Sequence, residues 1–296
     1  MLDLSGLYPP IPTPFTDKGE LALEALAGNL ERWAKQPLDG YVVGGSNGEF
    51  VLMTDDERVA VVRAARQTIG SDRRLIAGAG AQSTRRTIEL CRQMAEAGAE
   101  AALIVTPHYY KNQMTAEALI HHYRLVAEAS PLPIVLYNVP ANTGFDLPIE
   151  AIAELGQQPN VIGLKDSGGD VGRLASIIGQ TPAGFQVLAG SAGFYLPALS
   201  VGAVGAVAAL ANIAAGPMAE LGRRFNAGDL AAAGQLQRRL VEPNLAVTRR
   251  FGVAGLKQAL DWLGYYGGPV RSPLLPLTAG QAGELRSILQ AASLLD

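Results

Sequence analysis

Cysteine is almost missing from this chain of 296 residues: there is one, Cys91. One cysteine excludes an intrachain disulfide and a thiolate metal cluster. It sits in Thr87-Ile88-Glu89-Leu90-Cys91-Arg92-Gln93-Met94, which has helical spacing of apolar residues, so it reads as a core thiol and not as a nucleophile. Histidine is also scarce. His108, His121 and His122 are the three present, and none has the spacing of an H-E-x-x-H-type ligand set. No protein-built metal site is expected. No run of about 18 apolar residues occurs, so no membrane-spanning helix is expected. The opening Met1-Leu2-Asp3-Leu4-Ser5-Gly6 lacks the basic and then apolar pattern of a secretory signal. A reducing, cytoplasmic setting is the simplest expectation. Charge of one sign is lacking too. The formal net charge is −3, with both signs scattered, and no basic stripe suits a nucleic acid.

What is present is a large apolar fraction, 48%, against 17% charged residues. That suits one large globular core. Eight short apolar runs recur, most of them separated by helical patterns. The first, Tyr8–Phe15, is rich in proline, which a central strand tolerates poorly. The others are Asp39–Gly45, Arg74–Gly80, Ala101–Pro107, Ile134–Val139, the run opening at Val161, Phe185–Gly190 and Val204–Ala208. Between them, Leu21–Lys35 has helical periodicity. Thr54-Asp55-Asp56-Glu57 has the spacing of a capping box, and Ser83 or Thr84 can cap the following helix. Near-continuous apolar strands alternating with helices argue for a parallel sheet covered by helices. Eight units suggest a (β/α)8 barrel, an α/β fold whose sites lie at the carboxyl ends of the strands. The barrel is expected over residues 1–227. A helical subdomain is expected over 228–296, from patterns at Leu230–Leu240, Leu245–Gly264 and Ala279–Leu294.

An open, doubly wound sheet is the alternative. Its nearest support is Gly78-x-Gly80, but the third glycine position holds Ser83. A dinucleotide fingerprint belongs at the first strand–helix turn, and this is the third. Nucleotide binding is therefore not expected.

The stretch Val161-Ile162-Gly163-Leu164-Lys165-Asp166-Ser167 puts a lysine at the end of an apolar strand. Strand alternation puts Val161, Gly163, Lys165 and Ser167 on one face, with Gly163 leaving room beside the lysine stem. In a barrel that face points inward, and burial favours the neutral amine, which attacks ketones. Taken alone, the stretch fits an ordinary strand-end lysine better. Gly44-Gly45-Ser46-Asn47-Gly48-Glu49 lies between a strand and a helix, where backbone amides can meet an anion; it also reads as a plain glycine-rich turn. Tyr137 has the parity of Val135 and Val139, and alone it reads as a core tyrosine with a polar partner.

Together these stretches are similar to the class I aldolase superfamily of dihydrodipicolinate synthase and N-acetylneuraminate lyase. Four motifs in chain order carry the resemblance: Gly45-Ser46-Asn47-Gly48-Glu49, Thr106-Pro107-His108-Tyr109-Tyr110, Tyr137-Asn138-Val139-Pro140 and Gly163-Leu164-Lys165-Asp166. Within the superfamily the chain most resembles the 4-hydroxy-2-oxoglutarate aldolases. That rests on Phe50 after the first motif, Val139-Pro140-Ala141-Asn142-Thr143-Gly144, Lys165-Asp166-Ser167-Gly168-Gly169-Asp170, and a tail with Glu242-Pro243-Asn244, Val247-Thr248-Arg249-Arg250-Phe251-Gly252 and Gly264-Tyr265-Tyr266-Gly267-Gly268-Pro269.

The resemblance implies a Schiff base on Lys165, with Tyr137 as acid–base group and with Ser46 and Tyr109 relaying its proton. Asn47, Ser167, Gly190 and Asn142 are implied as further substrate contacts. It implies cleavage of 4-hydroxy-2-oxoglutarate to pyruvate and glyoxylate, with a small 2-oxo-acid substrate and no cofactor. A homo-oligomer, usually a tetramer, is implied, with the relay tyrosine commonly lent by a neighbouring subunit. The synthases typically have Thr-Thr where this chain has Ser46-Asn47, and an arginine where Asn142 stands. That arginine grips a carboxylate, which an Asn cannot match. Dihydrodipicolinate synthase is therefore the second reading and sialic acid lyase the third. A 2-oxo-acid-binding sensor on the same scaffold is the non-enzymatic alternative. The intact Lys165, Tyr137, Ser46 and Tyr109 set argues against it.

Overall fold

A computed structural model describes residues 2–71 and 73–296; Met1, the start of the N-terminal segment read above, and Asp72 lie outside the described residues. Strands β1 (Gly6–Tyr8), β2 (Gly40–Val43), β3 (Arg74–Gly78), β4 (Ala101–Val105), β5 (Ile134–Asn138), β6 (Val161–Asp166), β7 (Gln186–Ala189) and β8 (Gly205–Val207) form one parallel eight-stranded sheet. Its order is β1-β8-β7-β6-β5-β4-β3-β2. The open edge closes through single hydrogen bonds. Asp39 N donates to Leu7 O, Val42 N to Pro9 O, and Ile11 N to Val42 O. The result is the expected (β/α)8 barrel.

The first strand is a correction. It lies at Gly6–Tyr8, upstream of the expected Tyr8–Phe15. Prolines cannot donate to a ladder. Pro9 and Pro10 therefore fall where only a carbonyl is required, and Pro10 forms an isolated bridge with Val42.

Helices α1 (Leu23–Trp33), α2 (Asp55–Ile69), α3 (Thr84–Glu96), α4 (Ala116–Ala129), α5 (Pro140–Thr143), α6 (Ile149–Leu155), α7 (Val171–Gln180), α8 (Tyr195–Ser200) and α9 (Ala211–Asn226) lie between and after the strands. The Thr54 capping box forms at the start of α2, with both reciprocal bonds present. Ser83 caps α3. The tail holds α10 (Leu230–Leu245), α11 (Gly252–Trp262) and α12 (Ala279–Ala291). The helix expected over Leu245–Gly264 is broken. One π-helical turn, Ala246–Arg250, joins α10 to α11, and Phe251 N reaches back five residues to Ala246 O. Gly252, with φ of 57°, restarts the helix on a new axis.

Two apolar layers result. Leu4, Tyr8, Val42, Ile76, Leu103, Val105, Val135 and Leu188 fill the barrel interior. The outer layer packs strands on helices, and Leu240, Val247, Leu256, Leu260 and Leu285 of the tail join it. Strand β6 departs from simple alternation. Ile134 pairs with Val161 but Val135 pairs with Gly163, so Ile162 is an extra, bulged residue. Val161 therefore faces the helices and Ile162 the interior, opposite to the expected parity. From Gly163 onward the reading holds, and Lys165 faces the barrel mouth. Gly163 does not make room for the lysine. A Cβ there would lie 2.2 Å from Gln186 O, so the glycine permits close approach of β7.

Gly78-x-Gly80 has a packing cause as well. A Cβ on Gly78 would lie 2.0 Å from Gly44 O, and Arg58 of α2 donates to the carbonyls of Gly78 and Gly80. Among the described residues no helix is long and apolar enough to cross a membrane.

Candidate active site

The carboxyl ends of the strands open into a cavity of about 470 Å³. Lys165 lies at its floor and is only 3% exposed. The register of β5 on β6 pairs Tyr137 with Lys165 side by side. Lys165 Nζ sits 4.1 Å from the centroid of the Tyr137 ring. Ser46 Oγ lies 3.4 Å from the Tyr137 hydroxyl. Burial pushes the Tyr137 phenol up. The positive charge of Lys165 and hydrogen bonds from Ser46, Lys165 and Ser167 outweigh it, and the phenol ends below its ordinary value.

Ser46 gets there through a tight turn. Residues Ser46–Gly48 form one 3-10 turn directly after β2, and Glu49 follows with φ of 56°. The leading amides of such a turn have no partner inside it, so the Ser46 and Asn47 end can receive an anion. The turn is clamped from the tail. Buried Glu49 pairs with buried Lys257 at 2.5 Å, and its other oxygen accepts from Arg271 N at 2.8 Å. Lys257 Nζ also donates to Pro269 O and faces the Phe15 ring.

A second bracket holds the other rim. Asn138 Nδ2 donates to Asp166 Oδ2 and Asp146 Oδ1, both at 2.7 Å, while its Oδ1 accepts from Leu147 N. Gly168 N donates to Asp166 Oδ1, and Ser167 N to Asn138 O. Burial raises the Asp166 carboxyl above its usual range, against those hydrogen bonds and Arg173. The bracket fixes Ser167 beside Gly190. A Cβ on Gly190 would lie 2.1 Å from Ser167 Oγ and 2.6 Å from Asp166 O, so only glycine fits.

The structure thus brings Lys165, Tyr137, Ser46, Asn47, Ser167, Gly190 and Asn142 around one cavity. It does not bring Tyr109 there. Tyr109 is 78% exposed, packed edge-on against Tyr110 on the outside of the chain. Cys91 is fully buried, and burial pushes its thiol up to about 11, as befits a core residue. Among the described residues no group of three or more His, Cys, Asp or Glu could hold a metal.

Sequence reasoning missed the far wall. Ser191, Asn244, Thr248 and Arg249 also line the cavity, the last three from the tail. Asn244 Nδ2 donates to Ser191 Oγ at 2.9 Å. Asn244, Thr248 and Arg249 stand among Leu245, Ala246 and Val247 in a stretch that reads as plain helix, so no pattern there marked them as lining.

Comparison with known proteins agrees with this geometry. The model of the dihydrodipicolinate synthetase family matches residues 3–292. A 4-hydroxy-tetrahydrodipicolinate synthase of an Exiguobacterium species is 36% identical over 286 residues, covering 97% of each chain. One from Methanothrix thermoacetophila is 36% identical over 289 residues, again covering 97% of each. Among solved structures, a chloride-inhibited dihydrodipicolinate synthase from Acinetobacter baumannii, complexed with pyruvate, superposes with a TM-score of 0.94 at 32% identity. It covers 99% of this chain and 100% of its own. The chain belongs to the dihydrodipicolinate synthetase family of pyruvate-dependent, aldolase-type lyases.

Proposed function

We propose that this enzyme forms a Schiff base on Lys165 and cleaves 4-hydroxy-2-oxoglutarate to pyruvate and glyoxylate. The observation that carries the Schiff base is the buried Lys165 amine against the Tyr137 ring at the cavity floor. Lys165 adds to the C2 ketone and water leaves, giving an iminium. Tyr137, as phenolate, takes the proton of the C4 hydroxyl. The C3–C4 bond then breaks, its electrons flow to the iminium, and glyoxylate departs from an enamine. Tyr137 returns its proton to C3, and water hydrolyses the new iminium to pyruvate and free Lys165. Ser46 steadies the phenol during these transfers. The C1 carboxylate rests on the amides of the Ser46–Gly48 turn. No metal or organic cofactor enters these steps. Tyr109 completes the relay from a neighbouring subunit in a homo-oligomer, which accounts for its exposure on the single chain.

The choice of second product rests on Asn142, which lines the cavity where the synthases of the resemblance carry a carboxylate-gripping arginine. A second reading is condensation of pyruvate with aspartate semialdehyde. The printed names of the relatives favour it, since the matching proteins cited above are all synthases. The two are separated by one experiment. Borohydride with pyruvate should trap an adduct on Lys165, located by mass spectrometry; no adduct, or one elsewhere, overturns the imine mechanism. Parallel assays should then show glyoxylate and pyruvate formed from 4-hydroxy-2-oxoglutarate, with little condensation of pyruvate and aspartate semialdehyde. The opposite pattern selects the synthase.

A further inference from the structure

Among the described residues the cavity wall carries no acid. Among the lining residues the only charged groups are Lys165 and Arg249. Lys165 is at the buried floor, on β6. Arg249 is on the tail, in the π-helical turn Ala246–Arg250. The two adjacent arginines of that turn behave differently. Arg250 is engaged by Glu284 at 3.0 Å and Glu242 at 3.6 Å. Arg249 has neither an ion pair nor a hydrogen-bond partner among the described residues, and it lines the cavity. The extra residue of a π turn changes the direction of the side chains that follow. Successive residues of a helical turn also point roughly 100° apart, so Arg250 meets the acids while Arg249, itself exposed to solvent, edges the cavity.

A neighbouring group in the same strip also lacks a partner. Asn244 is 2% exposed and lines the cavity, yet its Oδ1 accepts no hydrogen bond among the described residues. That oxygen is sealed from solvent, so Asn244 meets the cavity through its Nδ2, which holds Ser191 Oγ at 2.9 Å. Substrate chemistry supplies the complement of the guanidinium, a carboxylate.

We infer that Arg249 determines specificity by receiving the distal carboxylate of the substrate. The inference rests on the imine mechanism proposed above, but not on which second substrate is correct. 4-Hydroxy-2-oxoglutarate and aspartate semialdehyde both carry a carboxylate beyond the reacting carbonyl carbon. Asn142, Asn47 and Ser167 can add neutral hydrogen bonds there. Only Arg249 adds charge and a two-pronged donor. The appended helices then do more than cover the barrel: they hold the part of the site that selects a diacid.

The test compares two aldols, 4-hydroxy-2-oxoglutarate and 4-hydroxy-2-oxopentanoate, which differ by the distal carboxylate. Arg249→Gln should lower kcat/KM for the diacid by roughly 10- to 100-fold, the size of a lost charge-assisted hydrogen bond. Most of that should appear in KM. Loss on the monoacid should be several-fold smaller, so the preference for the diacid collapses. Arg249→Lys should recover part of it. An equal loss on both aldols, or none on the diacid, overturns the inference. Should the wild type condense aspartate semialdehyde and cleave neither aldol, the same variants are scored on KM for the semialdehyde, and an unchanged KM overturns it. Borohydride trapping of pyruvate on the wild type is run alongside; its failure rejects the imine mechanism itself.

Discussion

Tyr137 sits under two opposed influences, and their balance explains its use. Burial in the barrel raises the phenol, since a phenolate away from water is costly. Lys165 beside it, with Ser46 and Ser167, lowers the phenol by more than burial raises it. The proton therefore leaves more readily than from an ordinary phenol while the cation stays close. Once the imine forms, the iminium stands where the lysine nitrogen was and keeps a cation beside the phenol through the bond-breaking steps. Tyr137→Phe keeps the ring under Lys165 and removes only the hydroxyl. Imine trapping with pyruvate should persist while kcat falls by roughly 10²- to 10⁴-fold, the usual weight of a positioned acid–base group. Stopped-flow and borohydride trapping separate the two steps. Full turnover in the variant would remove Tyr137 from the proton path. At this scale strand alternation could set Lys165 and Tyr137 on an inward face, but alone it read them as ordinary residues; only the four motifs taken together gave them, and Ser46 in its glycine-rich turn, expected roles. Arg249 was not readable, because a helical pattern gives no warning of a π turn that redirects one arginine.

Among elements, the barrel was legible because eight apolar runs and their intervening helices repeat. Its details were not. The bulge at Ile162 inverts the face of Val161, and no residue there announces it. The first strand moved upstream because hydrogen-bond supply, not apolar content, decided where prolines could sit. The least visible feature was the clamp between the β2 turn and α11. Glu49 and Lys257 are 208 positions apart in the sequence, and both are almost fully buried. A buried pair is stabilising only relative to its own halves: removing one partner strands a charge. Lys257→Met should therefore cost about 3 to 5 kcal/mol in urea unfolding. It should also lower activity, since the Ser46–Asn47 turn loses its anchor. Glu49→Gln with Lys257→Met leaves no stranded charge and should recover much of the stability. If both single variants cost under about 1 kcal/mol, the clamp is not a structural pair.

For the whole molecule, one contribution to the pH dependence of stability comes from a group that the site does not use. His122 of α4 is 6% exposed and packs edge-on against Tyr123. Its Nδ1 lies 2.9 Å from Thr84 Oγ1 at the start of α3, and its Nε2 has no partner among the described residues. Burial, with a smaller push from His121, lowers it from 6.5 to about 4. The unfolded chain therefore takes up this proton before the folded one does. A depressed folded value means that the contribution is present above pH 6.5 and is lost as the pH falls toward 4. The gap is worth about 3 kcal/mol at full extent. His122→Gln keeps a polar partner for Thr84 and removes the titration. Unfolding free energies measured in urea from pH 7.5 down to pH 4 should fall more steeply for the wild type than for His122→Gln. The two curves should therefore converge, or cross, on the acid side. Parallel curves over that range would assign the acid lability to carboxylates elsewhere, and the packing of α4 on α3 would then have no part in setting it.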